Sequence, residues 1–521
     1  MAGSTTLAKA RGMQPARESA PAAFRSAGGA PASHRRGRSL WSTSGVTDVA
    51  EANNISVQTE TATKGTQFSW TKCWYPVTAV SYLDPARPHQ ATILGHNLVV
   101  WRDSSNTWRC FKDSCPHRAA PLSEGRIHPI TKDLECAYHG WQFEGSGAAR
   151  ELPQSEPGSA KATACASKRS CATSFPTAEA HGLLFVWLEG GAEGQAQAAA
   201  APLPSLPAAD HTGKEWFPVS TWYVRDLEVD YLPLMENSAD PGHVHFTHAG
   251  YIGSPDKAGP ITVRVLERDD QGVYRFVCDD PKGATFRNLD LQPPCMLWAS
   301  SEGMAPEGEL ALLYFVVPVA PGRSRLMSLP LATNSKFRTL SKIFHWQPWL
   351  RHLYNHKVAA QDIVILHRQG TNMAAPDFDG WRRGFYLPTT ADSGVVVLRK
   401  WLEDVAGGGV AWGPNVAAGG QAPIQPEERR EVLMDHYHQH TEHCPHCRGA
   451  LKNVQTASKL LLGTAGACFL GLAYAWGRGT APLAAASLAL LAGLGASLAL
   501  RSALKGLEQQ FIFTDWRHSD H

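Results

Sequence analysis

Two short segments constrain this chain more than any other feature: Cys115-Pro116-His117-Arg118 and Cys136-Ala137-Tyr138-His139-Gly140-Trp141. Each offers one thiolate and one imidazole on a short loop, so the four donors can serve one centre only if the tips of two neighbouring hairpins converge. Two thiolates on one iron and two imidazoles on the other describe a mixed-ligand [2Fe–2S] cluster. Replacing two anionic thiolates by neutral imidazoles lowers the negative charge of the cluster and raises its potential, which suits accepting an electron and handing it on. A Cys2His2 zinc site is the competing reading, although zinc fingers more often keep the Cys pair and the His pair in separate halves. Cys110 lies outside the pattern and reads as a buried thiol.

The remaining cysteines agree with metal or thiol chemistry. There are 11, an odd number scattered through 521 residues, which argues against a disulfide-stapled secreted protein. A formal net charge of +2 gives no general basic field, so nucleic acid is not an implied partner. The chain is too long for one ordinary core. Its 17 tryptophans could line an aromatic pocket, but filling cores is the commoner fate.

A second constellation lies in Glu236-Asn237-Ser238-Ala239-Asp240-Pro241-Gly242-His243-Val244-His245-Phe246-Thr247-His248. On a helix that unwinds near Pro241-Gly242, His243 and His248 could face one centre. Two histidines and one carboxylate make the facial triad of non-haem Fe(II) oxygenases and leave positions open for O2. The carboxylate must come from elsewhere. Asp362 sits in the apolar helix-like run Val358 to Leu366, where an unpaired acid would be costly. Asp377 and Asp379, in a turn, are weaker candidates. His245 could replace either histidine geometrically, and Glu236 and Asn237 read as supporting or pocket residues.

The run Cys115-Pro116-His117-Arg118-Ala119-Ala120-Pro121-Leu122-Ser123-Glu124-Gly125, with Tyr138-His139-Gly140-Trp141 after it, resembles the Rieske non-haem iron oxygenases. Within them it is similar to the chloroplast branch containing pheophorbide a oxygenase and the translocon-associated inner-envelope Rieske proteins. The resemblance implies Cys115, His117, Cys136 and His139 as cluster ligands, His243, His248 and Asp362 as ligands of a mononuclear Fe(II), and Asp240 as the link between the two sites. Asp240 would accept hydrogen bonds from His243 of its own subunit and from the Rieske His139 of a neighbour, which implies a head-to-tail homotrimer. Reduced ferredoxin is the implied electron donor, O2 the co-substrate, and a chlorophyll-derived tetrapyrrole, pheophorbide a first, the substrate. Hydroxylation of another chlorophyll catabolite or precursor, or an electron-transfer role in envelope import, are the alternatives.

Residues 1–60 read as an organellar transit peptide, because Arg11, Arg17, Arg25, Arg35, Arg36 and Arg38 sit among Ala, Gly and Ser, and Glu18 is the only acid before Asp48. Residues 68–190 read as the Rieske domain, with a hairpin turn at Gly95-His96-Asn97 and a buried strand from Gly182 to Leu188. Residues 191–212 read as a linker rich in Ala, Gly and Pro. Residues 213–405 read as the iron domain, with strands at Ile261 to Leu266, Leu310 to Val317 and Val395 to Leu398. A Gly-rich loop and the Cys444-Pro445-His446-Cys447 segment occupy 406–455. This CxxC pair could form a disulfide, answer to thioredoxin, or bind zinc with adjacent histidines; the redox-responsive reading is preferred. Two apolar segments within 456–505, Leu460 to Trp476 and Ala481 to Leu500, are each long enough to span a bilayer. Lys452, Lys459, Arg501 and Lys505 flank their outer ends, against Arg478 in the loop, which places the catalytic bulk on the stromal side of a chloroplast membrane. The expected fold is α+β: an antiparallel Rieske β domain, a helix-grip-like catalytic domain of antiparallel sheet and helices, and a two-helix transmembrane hairpin.

Overall fold

A computed structural model describes residues 68–204, 215–268, 272–280, 286–301, 309–333, 335–414, 416, 429–479 and 485–520. The Arg-rich segment 1–60, part of the expected linker and much of the Gly-rich loop lie outside the described residues.

The N-terminal lobe is antiparallel throughout. Strands β1 (Trp74–Ala79), β10 (Thr177–Ala180) and β11 (Leu183–Trp187) form one sheet in the order β1-β11-β10. A second sheet orders β2 (His89–Ile93), β3 (His96–Arg102), β4 (Trp108–Lys112) and β9 (Ser174–Phe175). A third, of very short strands, orders β5 (Arg126–Ile127), β6 (Leu134–Glu135), β7 (Gln142–Phe143) and β8 (Ala149–Glu151). The first hairpin turns one step earlier than the sequence suggests. Ile93 pairs with His96, so the turn is Leu94-Gly95, both at positive φ. Leucine rarely adopts that conformation. Here tertiary contacts hold it: Leu94 is fully buried, and the amides of Leu94 and Gly95 donate to the carbonyls of Pro318 and Val319 in the second lobe.

That second lobe is an eight-stranded antiparallel sheet. Its path runs β12 (Phe217–Pro218), β19 (Arg323–Ala332), β18 (Leu310–Ala320), β17 (Met296–Ser300), β16 (Asn288–Gln292), β15 (Tyr274–Asp279), β14 (Thr262–Arg268), with β13 (Tyr223–Leu227) also paired to β19. The helices of eight residues or more are α1 (Ser159–Ala166), α2 (Gly191–Ala200), α3 (Tyr231–Ser238), α4 (Ser335–Trp346), α5 (Pro348–Met373), α6 (Ser393–Asp404), α7 (Pro445–Gly477) and α8 (Ala485–Ile512).

Two of these helices correct the sequence reading. Residues 191–200, read as linker, form α2, whose Gly194 and Ala198 are buried. The run Val395 to Leu398, read as a strand, lies inside α6, where Val397, Leu398, Trp401 and Leu402 are buried. A short apolar run does not distinguish the two by periodicity alone. Packing decides it: a Cβ on Gly394 would lie 2.3 Å from the carbonyl of Ala239, so α6 presses onto the end of α3.

One core runs through both lobes, with Phe185 of β11 and Phe315 of β18 in edge contact at 6.0 Å. A bidentate pair reinforces the join. Arg325 reaches both oxygens of Asp226, its register partner, at 2.6 and 2.8 Å, and donates to the Val77 carbonyl of β1. Most tryptophans that become buried, among them Trp70, Trp101, Trp222 and Trp298, fill cores.

At the C-terminus α7 and α8 pack on each other as a hairpin, and both are long and apolar enough to cross a membrane. Only 6% and 11% of their most apolar windows are buried, so Leu460, Phe469, Leu470 and Trp476 stand exposed. The end of α8 and the chain after it return to the body: the Phe511 carbonyl in the last turn accepts from Thr441 Oγ1, and Phe513 bridges to Asp435.

Candidate metal centres

The two Cys-His loops are built alike. Cys115 follows β4, and Cys136 opens the connection between β6 and β7. In the first loop the Cys115 amide donates to the Ala120 carbonyl and the Ala119 amide donates back to Cys115; in the second, Cys136 and Trp141, then Gly140 and Cys136, repeat the pattern. The fifth residue of each loop, Ala119 or Gly140, has positive φ. Each loop is therefore the same hydrogen-bonded lasso. Both sulfurs point inward, onto a small core with Trp101, Phe111, Leu122, Leu134 and Phe143. Both imidazoles stand at the outer tip, with ring centroids 4.6 Å apart, and His117 stacks on Trp141.

Paired sulfurs inside and paired nitrogens outside are the donor arrangement a Rieske cluster requires. Burial pushes the Cys115 thiol up to about 11, against the pull of the His117 and Arg118 amides, so a thiolate there would need the charge of a cationic cluster.

The second site forms where α3 ends. Beyond Ser238 the chain breaks at Asp240-Pro241-Gly242, then makes a single helical turn, Val244–Thr247. His243 and His248 bracket that turn, and their rings lie 5.3 Å apart. Asp362 arrives from the middle of α5, with Oδ2 3.5 Å from His248 Nε2. The ligand atoms of His243, His248 and Asp362 all lie within 4.8 Å of one another. Burial pushes the Asp362 carboxyl up, while the two histidines oppose it, and burial holds His243 towards its neutral form. A buried acid beside two imidazoles, that of His243 held towards its neutral form, suits a divalent metal.

Each histidine has one nitrogen engaged. His243 Nδ1 is 2.6 Å from the backbone carbonyl of Asp240, and His248 Nδ1 is 2.8 Å from Gln361 Oε1. These acceptors place the proton on Nδ1 and leave Nε2 for the metal. Asp240 was expected to hold His243 through its carboxylate. Its Oδ2 is instead 3.7 Å away, and Oδ1 accepts from the Gly242 amide at 2.7 Å. Gln361 went unrecognised as a functional residue, because an amide beside an acid in an apolar helix carries no signal of which partner it meets.

The other candidates fall outside the triad. His245 Nε2 turns to Asp280 at 3.5 Å. Glu236 pairs with buried Arg399 of α6. Asp379 makes an exposed pair with Arg383. Asn237 does reach the site, with Nδ2 3.4 Å from Asp362 Oδ1.

Asp240, His243, His248 and Asp362 line one cavity of about 1170 Å³, counting its open mouth. Its walls are chiefly aliphatic, with Tyr223, Tyr314, Tyr354 and Phe286, and no tryptophan among the described lining residues. Arg351 also lines it, and its Nε has no hydrogen-bond partner among the described residues. Cys444 and Cys447 are elsewhere, fully buried and unbridged at the start of α7.

Comparison with known proteins agrees with this geometry. Residues 73–175 match the Rieske [2Fe-2S] domain, and residues 291–377 match the pheophorbide a oxygenase domain. The chain is 31% identical over 494 residues to the chloroplastic pheophorbide a oxygenase of Oryza sativa subsp. japonica, covering 90% of this chain and 89% of that protein. It is 32% identical over 478 residues to the Arabidopsis thaliana protein of the same name, covering 88% and 85%. Dicamba monooxygenase bound to 3,6-dichlorosalicylic acid shares the fold, with a TM-score of 0.50 over 65% of this chain and 98% of that one at 18% identity.

Fold and metal centres together define a Rieske non-haem iron oxygenase, an enzyme with a [2Fe–2S] cluster and a mononuclear iron. Within that class the chain belongs to the pheophorbide a oxygenase family.

Proposed function

We propose that the chain oxygenates a chlorophyll-derived tetrapyrrole, pheophorbide a first, using O2 and electrons from reduced ferredoxin. The observation that carries this reading is the intact His243, His248 and Asp362 triad set in the wall of an apolar cavity. Two relatives at 31% and 32% identity are named for pheophorbide a.

When bound, the cluster supplies electrons singly and the mononuclear iron activates O2. The protein's part is positioning. Cys115 and Cys136 would hold one iron of the cluster and His117 and His139 the other. Gln361 and the Asp240 carbonyl fix the imidazoles, and the aliphatic walls exclude bulk water. Arg351, half-buried and with a free Nε, would receive a substrate carboxylate. The Asp240 carboxylate, with Oδ2 3.7 Å from His243 Nδ1, would be available to the Rieske His139 of a neighbouring subunit in a homotrimer. The exposed apolar faces of α7 and α8 support anchoring in a chloroplast membrane with the body on the stromal side.

The test is turnover of purified protein with reduced ferredoxin under ¹⁸O2, screening pheophorbide a, its methyl ester and other chlorophyll derivatives by mass spectrometry. Incorporation of label into pheophorbide a, with Arg351→Met raising KM for the acid but not for the ester, is expected. Absence of label in every tetrapyrrole, with no substrate-dependent oxygen uptake, would overturn the proposal.

A further inference from the structure

A second donor cluster lies apart from both oxygenase sites. Cys444 caps α7 and Cys447 sits in its first turn. His440 comes from the π-helical turn Tyr437–Thr441 just before them, and His352 from the first turns of α5, far earlier in the chain. The four ligand atoms all lie within 4.8 Å of one another. His352 Nδ1 is 3.5 Å from both sulfurs, and His440 Nε2 is 3.3 Å from Cys447 Sγ. In a tetrahedron with zinc–sulfur and zinc–nitrogen bonds of ordinary length, the sulfur–nitrogen edge is about 3.6 Å. The observed edges are close to that before any ion draws them in.

The outer nitrogens are engaged as ligand histidines require. His352 Nε2 lies 3.3 Å from Thr221 Oγ1, and His440 Nδ1 lies 2.6 Å from the Val224 carbonyl on β13. Those partners hold the ring protons on the outside and turn a bare nitrogen from each ring towards the sulfurs. All four side chains are wholly buried.

We propose that His352, His440, Cys444 and Cys447 bind a structural zinc ion that fastens the catalytic helix α5 to the base of the apolar hairpin. Two thiolates balance the charge of one divalent cation, and four protein donors leave no open position, as in closed structural sites. This replaces the thioredoxin-responsive dithiol expected from the sequence. Thiol–disulfide exchange needs an incoming thiolate to reach a sulfur, and neither sulfur has exposed surface. A CxxC with no imidazole contacts would serve exchange equally well; here both sulfurs are faced by histidines from two different elements.

The position of the ion has a consequence. His352 and Asp362 stand ten residues apart on α5, about 15 Å along its axis. Tyr223 bridges the two regions: its ring lies 4.6 Å from that of His440, its hydroxyl is 2.9 Å from His356 Nδ1, and it lines the oxygenase cavity. Holding His352 therefore fixes the helix that presents Asp362 and Gln361 to the iron.

The full chain, purified in detergent, is measured by inductively coupled plasma mass spectrometry and zinc X-ray absorption. One zinc per chain beyond the iron, with two sulfur and two nitrogen neighbours, is expected. Titration with an organomercurial should release it to a zinc-binding dye. In His352→Gln and in the Cys444→Ser/Cys447→Ser double variant, zinc should be lost while the Rieske EPR signal persists. The wild-type zinc count and coordination stand even if those variants do not accumulate. Wild-type protein without stoichiometric zinc, whose Cys444 and Cys447 are joined or are alkylated in the native state, overturns the proposal. So does zinc that survives in the double variant.

Discussion

Gln361 and Asp362, adjacent on α5, reach the same ring from its two ends: Gln361 Oε1 is 2.8 Å from His248 Nδ1, and Asp362 Oδ2 is 3.5 Å from His248 Nε2. One helix thus would supply both a ligand and the group that orients another ligand. Shortening or removing the amide frees the His248 ring to rotate and to change tautomer. Gln361→Leu is expected to weaken mononuclear iron binding by about 10–100-fold, the usual cost of losing such a partner. Iron analysis should show the mononuclear iron depleted, while the dithionite-reduced EPR signal of the cluster keeps its full intensity. Asp362→Ala should give the same split more severely.

Asp240 invites a different experiment, because its backbone and its carboxylate do separate work. The carbonyl holds His243 at 2.6 Å, and that bond is indifferent to the side chain. Asp240→Asn should therefore retain both metal sites. If the carboxylate joins His139 of a neighbour, the substitution slows electron transfer and nothing else. Stopped-flow oxidation of a pre-reduced cluster, mixed with substrate and O2, should fall by about 10–100-fold. An unchanged rate would remove the proposed bridge.

The site was legible in the sequence where its residues are close together. The Cys-His loops and the segment from Glu236 to His248 each declare their chemistry locally, and Asp362 stood out as an acid in an apolar helix. What could not be read depends on helices meeting. His352 is nearly a hundred positions from Cys444, so the adjacent histidines seemed the natural zinc partners of the thiols, yet only His440 of that run joins them. Val395 to Leu398 looked like a strand because four apolar residues fit either period, and only contact with α3 selects the helix. Leu94 at positive φ could not be anticipated either, since its strain is offset by bonds to Pro318 and Val319 in the other lobe.

Two positions beside the cluster site differ in how they tolerate a methyl group. A Cβ on Gly125 would fall 2.3 Å from the Glu135 carbonyl and 2.8 Å from that of Leu122, both rigid backbone. Gly125→Ala must push β5 away from β6 and disturb the loop that ends there, at a cost of about 2–4 kcal/mol. Ala119→Gly relieves a positive φ of 58° and loosens the unfolded chain at the same time, so the two effects nearly cancel, within about 1 kcal/mol. Cluster absorbance per chain, followed through a thermal ramp, should drop at lower temperature for Gly125→Ala and stay near wild type for Ala119→Gly.

The Asp226–Arg325 pair should make the join between lobes sensitive to acid. Burial pushes the Asp226 carboxyl up, but the Arg325 guanidinium, bonded to both oxygens, more than offsets it and leaves the group below its usual value. A folded-state value below the unfolded one, about 3.9 for aspartate, favours the folded state at all pH above that range. The contribution is lost as pH falls through about 4 and beyond, where the unfolded chain takes up the proton first. Arg325→Met removes the pair and also the bond to the Val77 carbonyl, so at neutral pH it should cost about 2 kcal/mol. Apparent Tm from intrinsic tryptophan fluorescence should separate the two proteins most clearly near neutrality. The gap should narrow as the pH is lowered towards 3, and a gap independent of pH would show that Asp226 gains nothing from its partner.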